Sequence, residues 1–247
     1  MYDVTRKACV LTRQWLLHFS EKSDLLKYIY EIDSWGNELT VEAWLYPEVI
    51  LKSSYVSIYK QGNLEFMLGR ENFKLRDSDA GLPLPKEFPL LKWSHLAFSL
   101  DEFGYIVCKD NICTEVPEAT GTTGTTQITG GISLTNPGEI ILLGTNTLSK
   151  NFIGYATNFR IWKKKRAAND IKAFYGRRVQ DIDDSNLIFN LGFNEKDNEG
   201  LFTKNEFYGS IPFASNALDW HVEVQPVPLC EGQCYFDGVN CRCNFYI

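Results

Sequence analysis

The chain has 247 residues, a length that suits one large all-β domain or two small ones. Apolar residues make up 44% of it and charged residues 23%, ordinary proportions for a chain that buries its own core. A net charge of −6 argues against a nucleic-acid partner, because neutralising phosphates needs a basic face.

No stretch reaches the roughly 20 apolar residues that span a bilayer, so no membrane insertion is expected. The first ten residues, Met1 to Val10, carry no apolar core of signal-peptide type. Either the chain is intracellular or it is part of a longer protein. Its seven cysteines favour the second: Cys230, Cys234, Cys241 and Cys243 crowd the C-terminal end, a density typical of oxidising compartments. The expected location is extracellular or cell-surface.

Alternation with period two runs through most of the chain. Leu39, Val41, Ala43 and Leu45 share one face of a strand, with Trp44 and Tyr46 on the other. Short strands follow at 55–60, 64–68, 93–100, 105–109, 112–116, 140–144, 152–162 and 187–193, separated by Gly, Pro, Asn and Asp clusters. Many short strands with regular turns predict a sandwich or barrel. A helix is predicted over 167–175, where Ile171, Phe174 and Tyr175 fall at i, i+3 and i+4 and Gly176 can end it. The Thr/Gly tract at 119–131 suits a loop, and Pro226-Val-Pro228 marks a boundary. The expected division is a sandwich over 14–225 and a Cys-rich tail over 229–247.

Glu38–Pro47 (ELTVEAWLYP) resembles the first conserved strand of pentraxin-like laminin-G domains. Trp93–Phe98 (WSHLAF) is similar to that family's W-x-H-v-A-f strand, and Tyr105–Val116 to its hairpin. Ile141–Gly144, then Phe152–Trp162 and a helix, and finally Asn186–Phe193 are similar to its later passages, in the same order. The resemblance covers roughly 14–195 and belongs to the concanavalin A-like lectin/glucanase superfamily. It implies a two-sheet antiparallel jelly roll whose members bind sugars, proteins or lipids, often with Ca²⁺. Separately, the tail Cys230-x3-Cys234-x6-Cys241-x-Cys243 resembles the opening of an EGF-like or other Cys-rich module.

Some relatives of this fold are glycanases. Glu31-Ile-Asp33 resembles the start of a glucanase strand whose carboxylates sit at i, i+2 and i+4, all on one face as glycosidic chemistry needs. Here i+4 is Trp35, so no hydrolase activity is expected, and turnover of laminarin- or galactan-type polymers abolished by Glu31→Gln would overturn that. The family's Ca²⁺ loop corresponds to Gly144–Asn151, which offers neutral oxygens and no carboxylate. Glu71, Asp77 and Asp79 form a separate acidic patch of no metal-loop spacing. Ca²⁺ therefore stays open with no assignable ligands, and no other cofactor is expected. His18, His95 and His221 form no metal or catalytic spacing, and His95, on the face of Trp93 and Ala97, suits core packing.

Lys163, Lys164, Lys165 and Arg166 form a basic run, with Arg177-Arg178 one helix later. It reads as a contact for glycosaminoglycans or other anions, or as an exposed turn between strand and helix. Cys108 and Cys113 flank a two-residue turn at Asp110-Asn111, which places them opposite each other, Cα atoms about 4.5 Å apart, within disulfide range. Cys230, Cys234, Cys241 and Cys243 allow three pairings, and their spacing fits no zinc site. Cys9 is left over, and no Asn-x-Ser/Thr sequon occurs. The expected function is a non-catalytic recognition or adhesion module binding glycan or protein through rim loops. A structural spacer held by neighbouring domains is the alternative, ahead of a glycan hydrolase.

Overall fold

The computed structural model describes residues 16–19, 26–30, 37–62, 64–75, 82–101, 103–117, 138–144, 150–175, 186–191, 204–205, 209–210, 219–221, 234–236 and 241–243. In chain order these form β1 (Leu16–Phe19), β2 (Leu26–Tyr30), β3 (Leu39–Val49), β4 (Val56–Gln61), β5 (Leu64–Leu68), β6 (Asn72–Lys74), β7 (Leu82–Pro83), β8 (Ser94–Asp101), β9 (Gly104–Lys109) and β10 (Ile112–Pro117). There follow β11 (Gly138–Leu142), β12 (Ile153–Trp162), α1 (Ala168–Phe174), β13 (Leu187–Leu191), β14 (Lys204–Asn205), β15 (Gly209–Ser210), β16 (Asp219–His221), β17 (Cys234–Phe236) and β18 (Cys241–Cys243).

Two antiparallel sheets make a sandwich. The larger runs β10-β9-β8-β3-β12-β1-β16, with β13 also on β12, and the smaller runs β2-β11-β4-β5-β6-β7. β14–β15 and β17–β18 are separate two-stranded pairs. Among the described residues no helix is long and apolar enough to cross a bilayer.

The alternation read from sequence decides which face is inside. Leu39, Val41, Ala43 and Leu45 of β3 join Leu96, Phe98 and Leu100 of β8 and Tyr105 and Val107 of β9 in one core. The smaller sheet supplies Ile58, Phe66, Leu68, Phe73, Ile140 and Leu142 to the same core. Phe66 stacks on Phe98 across the two layers with ring centroids 4.7 Å apart, and Phe73 meets Phe98 at 5.9 Å and Tyr105 at 5.6 Å. Each such side chain, taken from water, contributes about 1.5–3 kcal/mol.

Cross-strand register places β3 at the centre of the larger sheet, between β8 (Trp44 opposite His95) and β12 (Trp44 opposite Thr157). Two irregularities interrupt the β3–β12 ladder. At one, Asn158 takes φ +50, a left-handed conformation that Asn tolerates better than most residues. The extra residue puts Thr157 and Arg160 on one face and Phe159 and Ile161 in the core, as a bulge does.

The seven residues of α1 are too few for a helix to persist alone. Ala167, at its N-cap, makes no side-chain capping bond. Packing holds it instead: Ile171 is buried with Ala97, Ile106 and Cys108 on the outward face of the larger sheet, against Cys113 and Ala168. Cys108 and Cys113 are directly opposed in the β9–β10 register, with Cα atoms 4.0 Å apart, and are joined by a disulfide. The loop it closes is tiny, so replacing both cysteines with Ala is expected to cost about 2 kcal/mol or less in urea unfolding. A loss of 4 kcal/mol would mean that the disulfide pins α1 as well as its hairpin.

Candidate functional site

On β3 the outward residues are Thr40, Glu42, Trp44 and Tyr46. A sheet face turned from the core is ordinarily polar and wet. Here Thr40, Glu42 and Trp44 are fully buried, because α1 and the turn before it cover them. Thr40 Oγ1 donates to Lys164 O at 2.7 Å, and the Arg166 N–H lies 3.0 Å from Thr40 Oγ1 and 2.8 Å from Ser99 Oγ. Two hydroxyls on adjacent strands thus fix the backbone of the turn.

That anchoring drops Arg166 into the sheet. Its guanidinium is ion-paired with Glu42 and lies over the Trp162 ring at 4.2 Å. Arg160, opposite Glu42 in register, brings Nη1 to 3.8 Å of Glu42 Oε2, and His95 Nε2 stands 3.3 Å from the same oxygen. None of the four side chains is more than 4% exposed. Burial by itself would raise the Glu42 pKa. The Arg166 guanidinium, the neighbouring His95 imidazole and Arg160 outweigh it and hold the carboxyl at about 2. Sealed from solvent, the cluster positions the helix and turn and offers no access to a substrate.

Beyond the end of α1 the same face opens. Trp44 Nε1 donates to Tyr175 O at 2.8 Å, and the two rings stack at 6.1 Å. Next to them Tyr46, Trp93 and Tyr155 are half-buried, Tyr46 in the middle with Trp93 at 5.6 Å and Tyr155 at 5.8 Å. Three aromatic rings from β3, β12 and the foot of β8 therefore form a floor, backed by Trp44 and Tyr175. Leu91, at its rim, is held at φ +53 with its N–H bonded to Pro47 O at 2.9 Å. A bulky residue there is strained, a condition that concentrates at ligand clamps. Leu91 is exposed there, as are Val49 and Leu51 at and beyond the end of β3.

The structure separates the basic run expected to act together. Lys163 is exposed and Lys164 half-buried. Lys165 Nζ pairs with Asp101 at 2.9 Å, and Arg166 is buried on Glu42. As a correction to the four-residue anion contact, the guanidinium of Arg166 lies inside the protein, drawn there by a buried carboxylate. His95 is buried, but beside Glu42 and Trp44 on the outward face of the larger sheet and not in the core between the sheets where it was expected. Glu71 is exposed. Among the described residues no group of three or more His, Cys, Asp or Glu is placed to hold a metal ion. Glu31, Asp33, Trp35, Asp77, Asp79, most of the 144–151 loop, Arg177, Arg178, Cys9 and Cys230 lie outside the described residues. In the tail, Cys234 is opposite Cys243, and Cys241 is opposite Phe236.

Sequence reasoning passed over Glu42, Arg160 and Tyr155. Each sits in a stretch read as a strand, and only register brings them beside His95, Arg166 and Tyr46. The available signal was the outward sequence Glu42, Trp44, Tyr46, too aromatic for a wet face.

Neither a family model nor a curated protein matches the sequence. Solved structures do. A candidate carbohydrate-binding protein from Bacteroides ovatus superposes with a TM-score of 0.64 at 14% identity, over 87% of this chain. The chain spans 61% of that protein's length. A heptameric SAP-like pentraxin from Limulus polyphemus gives 0.54 at 11% identity, covering 84% of this chain and 94% of the other. The likeness is one of fold: a two-sheet antiparallel β-sandwich. Domain 4 of an extracellular arabinanase from Geobacillus stearothermophilus, solved with arabinotriose, gives 0.50 at 15% identity over 64% of this chain and 75% of its own.

Proposed function

We propose that the chain is a non-catalytic recognition module of a larger secreted or cell-surface protein, and that it takes a glycan against the floor of Tyr46, Trp93 and Tyr155. The observation that carries this is the row of three half-buried rings on a face otherwise covered by α1. The apolar C–H face of a sugar ring packs on such rings, while tyrosine hydroxyls and the indole N–H provide polar handles at their edges. The description of the Bacteroides ovatus protein and the arabinotriose in the arabinanase domain support the reading, as does the Cys108–Cys113 disulfide for an oxidising compartment. Kinship with laminin-G and pentraxin domains, and a tail that begins a separate EGF-like module after Pro228, belong to the same proposal.

A glycan array probed with and without millimolar Ca²⁺ tests it. The wild type is expected to bind a defined set of glycans, and Trp93→Ala to lose about tenfold or more in affinity while keeping its circular-dichroism spectrum. An array silent under both conditions, or Trp93→Ala binding like the wild type, would sink the reading. Exposed Leu91, tied to Pro47 next to Tyr46, favours a second reading, a protein interface on the same rim. A silent array together with a partner lost in Leu91→Asp would point there.

A further inference from the structure

We infer that α1 is a strut of the glycan site, and that Tyr175 at its end is a positioning residue, holding Trp93 and Tyr155 of the floor in place without touching the ligand. This rests on the glycan reading above.

The segment 166–175 is fastened to the outward face of the larger sheet at three points. At the first, the Arg166 N–H lies 3.0 Å from Thr40 Oγ1 and 2.8 Å from Ser99 Oγ, and the guanidinium meets Glu42. At the second, Ile171 packs on Ala97, Ile106 and Cys108. At the third, Trp44 Nε1 donates to Tyr175 O at 2.8 Å, and the Tyr175 ring lies 6.1 Å from Trp44 and 5.8 Å from His95. Ile171 and Tyr175 are one helical turn apart, so a single face of the segment carries both. Thr40, Glu42 and Trp44 are successive outward positions of β3, so the segment runs beside that strand in the same direction. From Thr40 to Trp44 the strand advances about 13 Å. From Arg166 to Tyr175 a helix advances about 13.5 Å. The two lengths agree, so the turn on Glu42 decides where Tyr175 comes to rest.

Tyr175 is 4% exposed and Trp44 2%, which keeps both from a ligand. Half-buried Trp93 and Tyr155 pack against this pair. Two of the three floor rings therefore lean on a helix-end residue that is not part of the floor. A ring left loose must be immobilised when a sugar arrives, which lowers affinity, whereas a ring already held loses nothing. The Glu42 cluster gains a use on the same grounds. A buried carboxylate among guanidinium groups stabilises no better than packed apolar residues would. What it supplies is a fixed place for the turn, and through α1 for Tyr175.

The test compares variants on an array of arabinan, galactan, glucan and mannan tri- and tetrasaccharides, at a temperature where circular dichroism shows each variant fully folded. Tyr175→Ala is expected to lose about fivefold or more in affinity on every glycan the wild type binds, and Tyr175→Phe, which keeps the ring, to stay within about twofold. Glu42→Gln, at the far end of the strut, is expected to weaken binding about threefold. Phe73→Leu is the control for stability alone. It thins the core between the sheets, and is expected to lower the melting temperature while affinity stays within about twofold of the wild type. Should Tyr175→Ala fail to fold, Tyr175→Leu takes its place with the same expected loss. Wild-type affinity in Tyr175→Ala or in Glu42→Gln, a Tyr175→Phe loss as large as that of Tyr175→Ala, or affinity that falls in Phe73→Leu in step with stability, overturns this inference and leaves the glycan reading intact. A wild-type array that stays silent overturns both.

Discussion

Glu42→Ala is expected to lower the stability of the domain by about 3–5 kcal/mol, read as a fall in the urea midpoint with the slope unchanged. The substitution removes the carboxylate that the buried guanidinium groups of Arg160 and Arg166 face. Of the two effects that oppose each other in a buried pair, desolvation of the surviving charges dominates once the partner is gone. The pH dependence follows from the same group. Glu42 is held at about 2 against an ordinary 4.5, so the unfolded chain takes up its proton more readily than the native one. Its contribution, about 3 kcal/mol, is complete above pH 4.5 and is lost as the pH falls from there through 2. Glu42→Gln should lack that part of the acid sensitivity. A cost under 1 kcal/mol for Glu42→Ala, or an acid profile in Glu42→Gln identical to the wild type, would show that the cluster does not hold the turn.

Gly154→Ala is expected to cost about 3 kcal/mol or more, or to prevent folding. Gly154 has φ +138, and a Cβ there would lie 2.1 Å from Tyr46 O and 2.9 Å from Glu48 N. Both are backbone atoms of β3, which cannot swing aside without opening the ladder between β3 and β12. The strained conformation alone costs about 1–3 kcal/mol, and the clash adds to it. Gly62→Ala is the control: its φ is +54, but nothing lies within 4 Å of the added carbon, so only the backbone penalty of about 1–2 kcal/mol applies. If the two variants melt together, the close approach at Gly154 is not what brings Tyr46 and Tyr155 side by side.

Much of the fold could be read from alternation. The strand at 64–68 has the expected bounds, and β3, β8 and β12 differ from expectation by one to three residues. The faces of Trp93, His95 and Ala97 followed from the period of two. What escaped was set by distant partners. β1 and β2 are four and five residues long, and pairing with β12 and β11, far along the chain, defines them. β6 and β7 are too short to show a period. Arg166 ended a run of lysines and read as solvated, because nothing local indicates that Thr40 and Ser99 capture its backbone. Arg160 reaches Glu42 only through the irregularity at Asn158, and a break in alternation hides what it redirects.

The central place of β3 also dictates an order of assembly. One edge pairs with β8, but the other waits for β12, with Thr40 opposite Trp162 and Tyr46 opposite Tyr155. During synthesis the chain must be made at least through Trp162 before β3 is paired on both sides, and α1 can dock only after that. Pairings this far apart in sequence fold slowly, on the scale of milliseconds to seconds. Until they close, β3 carries an open edge with Trp44 and Tyr46 unshielded. That interval, more than any property of the finished sandwich, is when this chain is most exposed to association with others like itself.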